Sequence, residues 1–213
     1  YTRNESLIAA GDLVLIDAGC EFAYYAADVT RTYPASGRYS QAQRALYDLV
    51  LKANRGAIAA CRPGVAFNQP HDVATQILVD GLIALGLLRG AAQALIASCA
   101  HEKFCPHKTS HWLGLDVHDV GDYRLGEQWR DLMPGMVLTV EPGIYIPRDS
   151  TTADVPEAFR GIGIRVEDSV LITPQGCQVL TEDLLKDPDE IERWMATKGS
   201  VGQSAQGLKE VVA

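Results

Sequence analysis

The sequence predicts an α+β domain, with strands near both ends of the chain and helices between them, in place of a steady βαβ alternation. Three observations carry this. The early stretch LVLIDAGCEFAYYAADVTRTYPASG consists of short strand-like pieces broken by glycine. A central block beginning at Ser40 reads as two or three helices, punctuated by Pro63-Gly64 and Arg89-Gly90. After it, segments bounded by Pro and Gly return to strand character.

Taken in order, Gly11-Asp12 makes a turn before an apolar strand at residues 13–17. Gly19-Cys20-Glu21 reads as a tight link to a second strand over residues 22–33, and so short a link implies an antiparallel hairpin. Ser40 is a good N-cap for a helix through QAQRALYDLVLKANRGAIAA, which Pro63-Gly64 closes. Asn68 or Asp72 opens a second helix through ATQILVDGLIALG, and AAQALIASCAHEKF is a third. HWLGLDVHDVGDY is irregular and rich in His, Gly and Asp. MPGMVLTVEPGIYIP and GIGIRVEDSVLITPQG are strand candidates, DPDEIERWMATKG is a final helix, and residues 200–213 form a polar tail.

Size and composition narrow the function. A chain of 213 residues, 47% hydrophobic and 22% charged, fits one large globular domain. A net charge of -8 without a basic stripe argues against nucleic acid as a partner. No apolar run is long enough to span a bilayer, so no membrane role is expected. Five cysteines without a CxxC pair read as a reduced set, which points to the cytoplasm. The opening YTRNES resembles neither a start nor a leader, so the chain reads as lacking an N-terminal part.

Four acids sit where a structural role is hard to arrange. Asp17 shares the phase of Leu13 and Leu15, and Asp28 that of Ala26 and Thr30. Glu141 ends VLTV before a Pro-Gly break, and Glu167 lies within IRVEDSVLI, in phase with Arg165 and Ser169. Each has an ordinary reading by itself: Asp17 as a turn cap, Asp28 paired with Arg31 or a helix N-terminus, Glu167 paired with Arg165. Together they repel one another unless something neutralises them. His107, His111 and His118 offer an imidazole, and carboxylates with a single His suit Mn, Fe, Co or Zn. Two divalent ions and a hydroxide would offset the four negative charges almost completely. Competing signatures are absent: HEKFC is not HExxH, and no GxSxG, P-loop or GxGxxG occurs. Cys105 reads as a buried thiol, not a nucleophile.

TSHWLGLDVHDVG, LMPGMVLTVEPGIYIP and GIGIRVEDSVLIT, with LIDAGCE…DVTRTYP, resemble the catalytic domain of the Xaa-Pro aminopeptidase (aminopeptidase P) family. Prolidase and methionine aminopeptidase are wider relatives. The resemblance covers residues 13–194. It implies the pita-bread fold, a curved, mainly antiparallel sheet with helices on its outer face, and places a catalytic domain in residues 1–199. The implied metal ligands are Asp17, Asp28, His111, Glu141 and Glu167, holding two divalent ions, with manganese expected. Asp28 and Glu167 would bridge the ions.

Catalytic roles follow from the same resemblance. Glu141 would carry a proton, His118 would meet the scissile carbonyl, and Arg165 would support the bridging glutamate or the substrate. Asp119 and Asp168 would support the ligands, and Trp112, Leu113 and Tyr145 are candidate walls. The implied activity removes an N-terminal residue from peptides with proline second. Alternatives are prolidase action on Xaa-Pro dipeptides, or a non-catalytic peptide-binding module. Relatives assemble as dimers or tetramers, so a homo-oligomer is a further expectation. One departure stands out: relatives have His-Gly where this chain has His107-Lys108, with Lys108 near the substrate entrance.

Overall fold

The computed structural model describes residues 5–149 and 155–199; the predicted tail at 200–213 lies outside them. The first strand, β1 (Leu13–Ala18), runs antiparallel to β4 (Val29–Pro34), with Leu13 opposite Pro34 and Ala18 opposite Val29. The predicted tight link and long second strand are corrected here. A separate hairpin, β2 (Glu21–Phe22) and β3 (Tyr25–Ala26), stands between them. Its turn residues Ala23 and Tyr24 have φ of 50° and 70°, a turn usually marked by Gly or Asn, so the sequence does not advertise it. The hairpin closes where Ala27 N–H donates to the Cys20 carbonyl at 2.8 Å. A Cβ at Gly19 would lie 1.8 Å from the Ala27 oxygen, so only glycine fits this crossing.

Helix α1 (Gln41–Ala60) begins at Ser40 as expected, through a capping box. Gln43 N–H donates to Ser40 Oγ at 3.2 Å, and Ser40 N–H to Gln43 Oε1 at 2.8 Å. It buries Leu46, Tyr47, Val50, Ala53 and Ala57 and lies across the strands of the second half. Helix α2 (Gln69–Ala84) packs on α1 at Gly81, where a Cβ would fall 2.2 Å from Leu49 Cδ1. The expected third helix is shorter. Here α3 (Ala92–Ala97) ends before Cys99, whose φ of 54° starts a separate 3-10 turn at Ala100–Lys103.

After a small hairpin of β5 (Arg124–Leu125) and β6 (Gln128–Trp129), the two remaining strand candidates each divide in two. The first becomes β7 (Val137–Val140) and β8 (Gly143–Tyr145); the second becomes β9 (Gly163–Arg165) and β10 (Asp168–Thr173). β8 pairs with β9, whereas β10 pairs with both β7 and β11 (Gly176–Val179). The breaks at Pro142 and Val166 therefore lie side by side, because Asp168 faces Val140 and Arg165 faces Gly143. All pairings among the described strands are antiparallel. Helix α4 (Pro188–Gly199) follows. The core joins α1 and α2 to Leu138, Val140, Ile144, Ile164, Val166, Val170 and Ile172. All five cysteines are free thiols, and no helix among the described residues is long and apolar enough to cross a membrane.

Ser40→Ala removes one half of the capping box and should lower the free energy of unfolding by about 1 kcal/mol. Urea denaturation followed by circular dichroism checks this, with an unchanged m-value expected.

Candidate metal centre

Four of the five candidate ligands lie at the end or the interruption of a strand. Asp17 is on β1 opposite Thr30, Asp28 immediately precedes β4, Glu141 follows β7, and Glu167 sits between β9 and β10. His111 belongs to an extended segment laid along β7. There Glu141 N–H donates to the Thr109 carbonyl at 2.8 Å, Thr139 N–H to His111 at 3.0 Å, and Leu113 N–H to Val137 at 3.1 Å. Residues released from a ladder at a break can turn inward without sacrificing backbone hydrogen bonds.

Asp28, His111 and Glu167 each offer a ligand atom, and these atoms all lie within 4.8 Å of one another. His111 Nε2 is 3.5 Å from Asp28 Oδ2 and 3.4 Å from Glu141 Oε1, which brings Glu141 into the same group. The other ring nitrogen, Nδ1, is 2.9 Å from the Trp112 carbonyl and must donate to it. That bond leaves Nε2 with its lone pair free when the imidazole is neutral, turned toward carboxylate oxygens, which is the tautomer a metal ion needs. A borderline nitrogen among hard oxygens fits a divalent ion of the kind expected. Asp17 stands at the rim, its half-exposed carboxylate paired with Arg165 Nη2 at 2.5 Å.

Electrostatics state the cost of this arrangement without a cation. Burial pushes the Glu167 carboxyl up to about 8, aided by the charges of Glu141, Asp28 and Asp17 against a hydrogen bond from Thr30. Burial likewise raises Glu141 to about 7, against the pull of His111, Arg165 and Thr139. For His111, burial disfavours the charged form, but Asp28, the Trp112 carbonyl and Glu141 outweigh it and lift the ring to about 8. Protons thus occupy places that a divalent ion would take.

A polar web ties the rim to the buried acids. Arg165 Nε donates to Thr30 Oγ1 at 3.1 Å, and Thr30 donates in turn to Glu167 Oε2 at 2.7 Å. Arg165 Nη1 donates to the Tyr145 hydroxyl at 2.7 Å, which is 2.8 Å from His107 Nε2. Because His107 Nδ1 faces the Lys108 carbonyl at 2.9 Å and must donate there, Tyr145 donates to Nε2. His107 Nδ1 also lies 3.8 Å from Glu141 Oε2. His118 is exposed and meets the His111 ring edge-on, with centroids 4.5 Å apart.

Several sequence expectations need revision. Arg165 pairs with Asp17, not with Glu167, and Arg31 pairs with Asp168, not with Asp28. Asp119 lies against the 112–114 turn, where a Cβ on Gly114 would be 2.1 Å from its Oδ2, and joins none of these contacts. Trp112 and Leu113 are both buried, and Trp112 packs in the core against Phe67 and Tyr123. Burial pushes the Cys105 thiol up to about 12, consistent with an inert thiol. Sequence reasoning missed Thr30 and Thr139, and saw Tyr145 only as a wall. Thr30 carried the one available signal, since it stands two residues after Asp28 in DVTRT.

Residues 1–174 match the sequence profile of metallopeptidase family M24. The Xaa-Pro aminopeptidase of Escherichia coli K12 is 51% identical over 195 residues, covering 92% of this chain and 43% of its own length. That of Haemophilus influenzae is also 51% identical, covering 92% of this chain and 44% of its own length. Among solved structures, Pseudomonas aeruginosa aminopeptidase PepP superposes with a TM-score of 0.92 at 50% identity, over 94% of this chain and 45% of that one. The chain therefore spans less than half the length of these relatives and has the pita-bread fold that the resemblance implied.

The raised groups set a pH dependence. A raised folded-state pKa means that the folded chain keeps protons the unfolded chain has released, so stability falls as pH rises toward that value. Glu141, Glu167 and His111 all act in this direction, with folded values of about 7, 8 and 8. His71, held at about 4 by burial, acts oppositely but only up to its unfolded value of 6.5. Between pH 6.5 and 8 the chelator-treated chain should lose stability as pH rises, and Glu167→Gln should flatten the slope. Thermal unfolding across that window checks both.

Proposed function

Because the chain belongs to metallopeptidase family M24, we propose that it is the catalytic part of a metal-dependent aminopeptidase that releases an N-terminal residue preceding proline. The observation carrying this reading is the convergence of Asp28, His111 and Glu167, with Glu141 beside them, at the junction of broken strands. The catalytic domain is assigned to residues 1–199. Asp17, Asp28, His111, Glu141 and Glu167 would hold two divalent ions, with Mn2+ expected. Bound there, divalent ions supply Lewis acidity, activating water and polarising the scissile carbonyl.

The protein's own groups have separable tasks. Glu141, at the end of β7, accepts a proton from the attacking water and returns it to the departing proline nitrogen. Its Oε1 is oriented by the Thr139 hydroxyl at 3.3 Å, and that hydroxyl also accepts from His111 N–H at 3.1 Å. One threonine therefore ties the carboxylate of the proton carrier to the backbone of His111. His118, exposed beside His111, donates to the carbonyl oxygen as negative charge develops there. Arg165 holds Asp17 directly and Glu167 through Thr30.

The substrates are peptides with proline second. Lys108, exposed next to His107, stands on the approach to the site and is compatible with this substrate range. Free thiols support a cytoplasmic location. Self-assembly is part of the same proposal.

Three measurements on the manganese-loaded full-length polypeptide test the reading. A Xaa-Pro-Xaa tripeptide should be cleaved in preference to a Xaa-Pro dipeptide; the reverse preference would make it a prolidase, and peptide binding without cleavage a recognition module. Glu141→Gln should lower kcat by about 10²–10⁴-fold. After removal of free ions, elemental analysis should find two ions per chain and fewer in Glu167→Ala.

A further inference from the structure

Two buried side chains grip the backbone around the glutamates from behind. Asn54, on α1, is fully buried. Its Nδ2 donates to the carbonyl of Val140 at 3.1 Å and to that of Val166 at 3.3 Å. These are the carbonyls immediately before Glu141 and Glu167. Arg31, on β4 and 3% exposed, donates from Nη1 to the carbonyl of Glu167 itself and to that of Thr30 at 3.0 Å. Its remaining donors reach Asp168 Oδ1 at 2.9 Å and the carbonyls of Leu184 and Leu185 at 3.1 Å each. Lys186 joins the two grips, its Nζ 2.6 Å from Asp168 Oδ2 and 3.4 Å from Asn54 Oδ1.

We propose that Asn54 and Arg31 are positioning residues of the metal centre, which together fix the separation and orientation of Glu141 and Glu167. The proposal rests on the reading of those glutamates as metal ligands. Its physical basis is the location of the bonds. The two glutamates face each other in a break of one antiparallel ladder, whose register is the same on both sides, but their own N–H groups bond to Thr109 and Thr30, so no ladder bond joins them to each other. One amide bonded to both preceding carbonyls links the two breaks directly, and displacement of either glutamate strips a hydrogen bond from a buried carbonyl. Arg31 holds the Glu167 carbonyl through Nη1 while its other nitrogens are fixed on Asp168, Leu184 and Leu185, a planar donor set that a lysine ammonium cannot reproduce. Neither side chain contacts a ligand oxygen, so each acts only through the backbone it holds.

The test compares the full-length polypeptide with Asn54→Leu, Arg31→Lys, Glu167→Ala and the double variant Asn54→Leu/Glu167→Ala. Metal affinity is measured by competition calorimetry with Mn2+, ligand geometry by the visible spectrum of the Co2+ form, and folding by cooperative unfolding of the metal-free chains. Asn54→Leu and Arg31→Lys should each bind Mn2+ about 10–100-fold more weakly, with an altered Co2+ spectrum. In the double variant the two losses should be less than additive, since one of the two side chains that Asn54 positions is already gone. Wild-type affinity and spectrum in either folded variant, or a fully additive loss in the double variant, overturns the proposal while the functional reading stands. If Arg31→Lys does not fold, Asn54→Leu decides. Absence of metal binding by the unmodified polypeptide overturns both.

Discussion

Carboxylates brought together away from water repel one another, and much of this structure is an answer to that repulsion. Desolvation and mutual charge act on Glu141 and Glu167 at once, and the counterweights inside the protein are few: His111, Arg165 and two threonine hydroxyls. None of these cancels the excess. Arg165, the one permanent cation of the group, spends one arm on Asp17 at the rim and reaches Glu167 only through Thr30. The pocket is thus incompletely neutralised by its own residues, a property expected of a site built to receive cations and unexpected of a structural ion-pair network.

The Arg31–Asp168–Lys186 cluster shows the contrast. Asp168 is fully buried, yet Arg31, Lys186 and the Thr181 hydroxyl overcome the burial penalty and hold its carboxyl below the ordinary range. Asp168 and Glu167 are consecutive residues with opposite fates: one is saturated with protein donors, the other accepts a single threonine hydroxyl. Strand alternation provides for this, turning one side chain toward the stabilising cluster and the other toward the candidate metal centre.

Sequence patterns revealed the components better than their connections. The capping box at Ser40 was legible because local hydrogen bonding decides it, whereas α2, which starts at Asn68 without a side-chain cap bond, and the final helix were legible from their local residue pattern. The candidate ligands were legible because acids in apolar strands are conspicuous and their surrounding motifs distinctive. The hairpin between Asp17 and Asp28 was not, because Ala23 and Tyr24 occupy a turn that the chain takes at a steric cost. The splitting of two strands at Pro142 and Val166 escaped notice for a different reason: the register runs on through the break, and the lapse in pairing depends on residues far away in sequence. Pairings such as Arg165 with Asp17 across 148 positions have no local signature at all.

The β2–β3 hairpin has a consequence for how this fold can diversify. It is inserted between two acids of the centre, but its base is sealed by the Ala27–Cys20 hydrogen bond and by the close crossing at Gly19. Beyond that seal, Phe22, Tyr24 and Tyr25 project into solvent. Chain length added or removed at the tip changes loop-closure entropy only slightly and leaves the spacing of Asp17 and Asp28 to the strands below. The hairpin is therefore a natural grafting point, where lineage-specific surface can accumulate or a reporter can be spliced in while the chemistry beneath it stays in register.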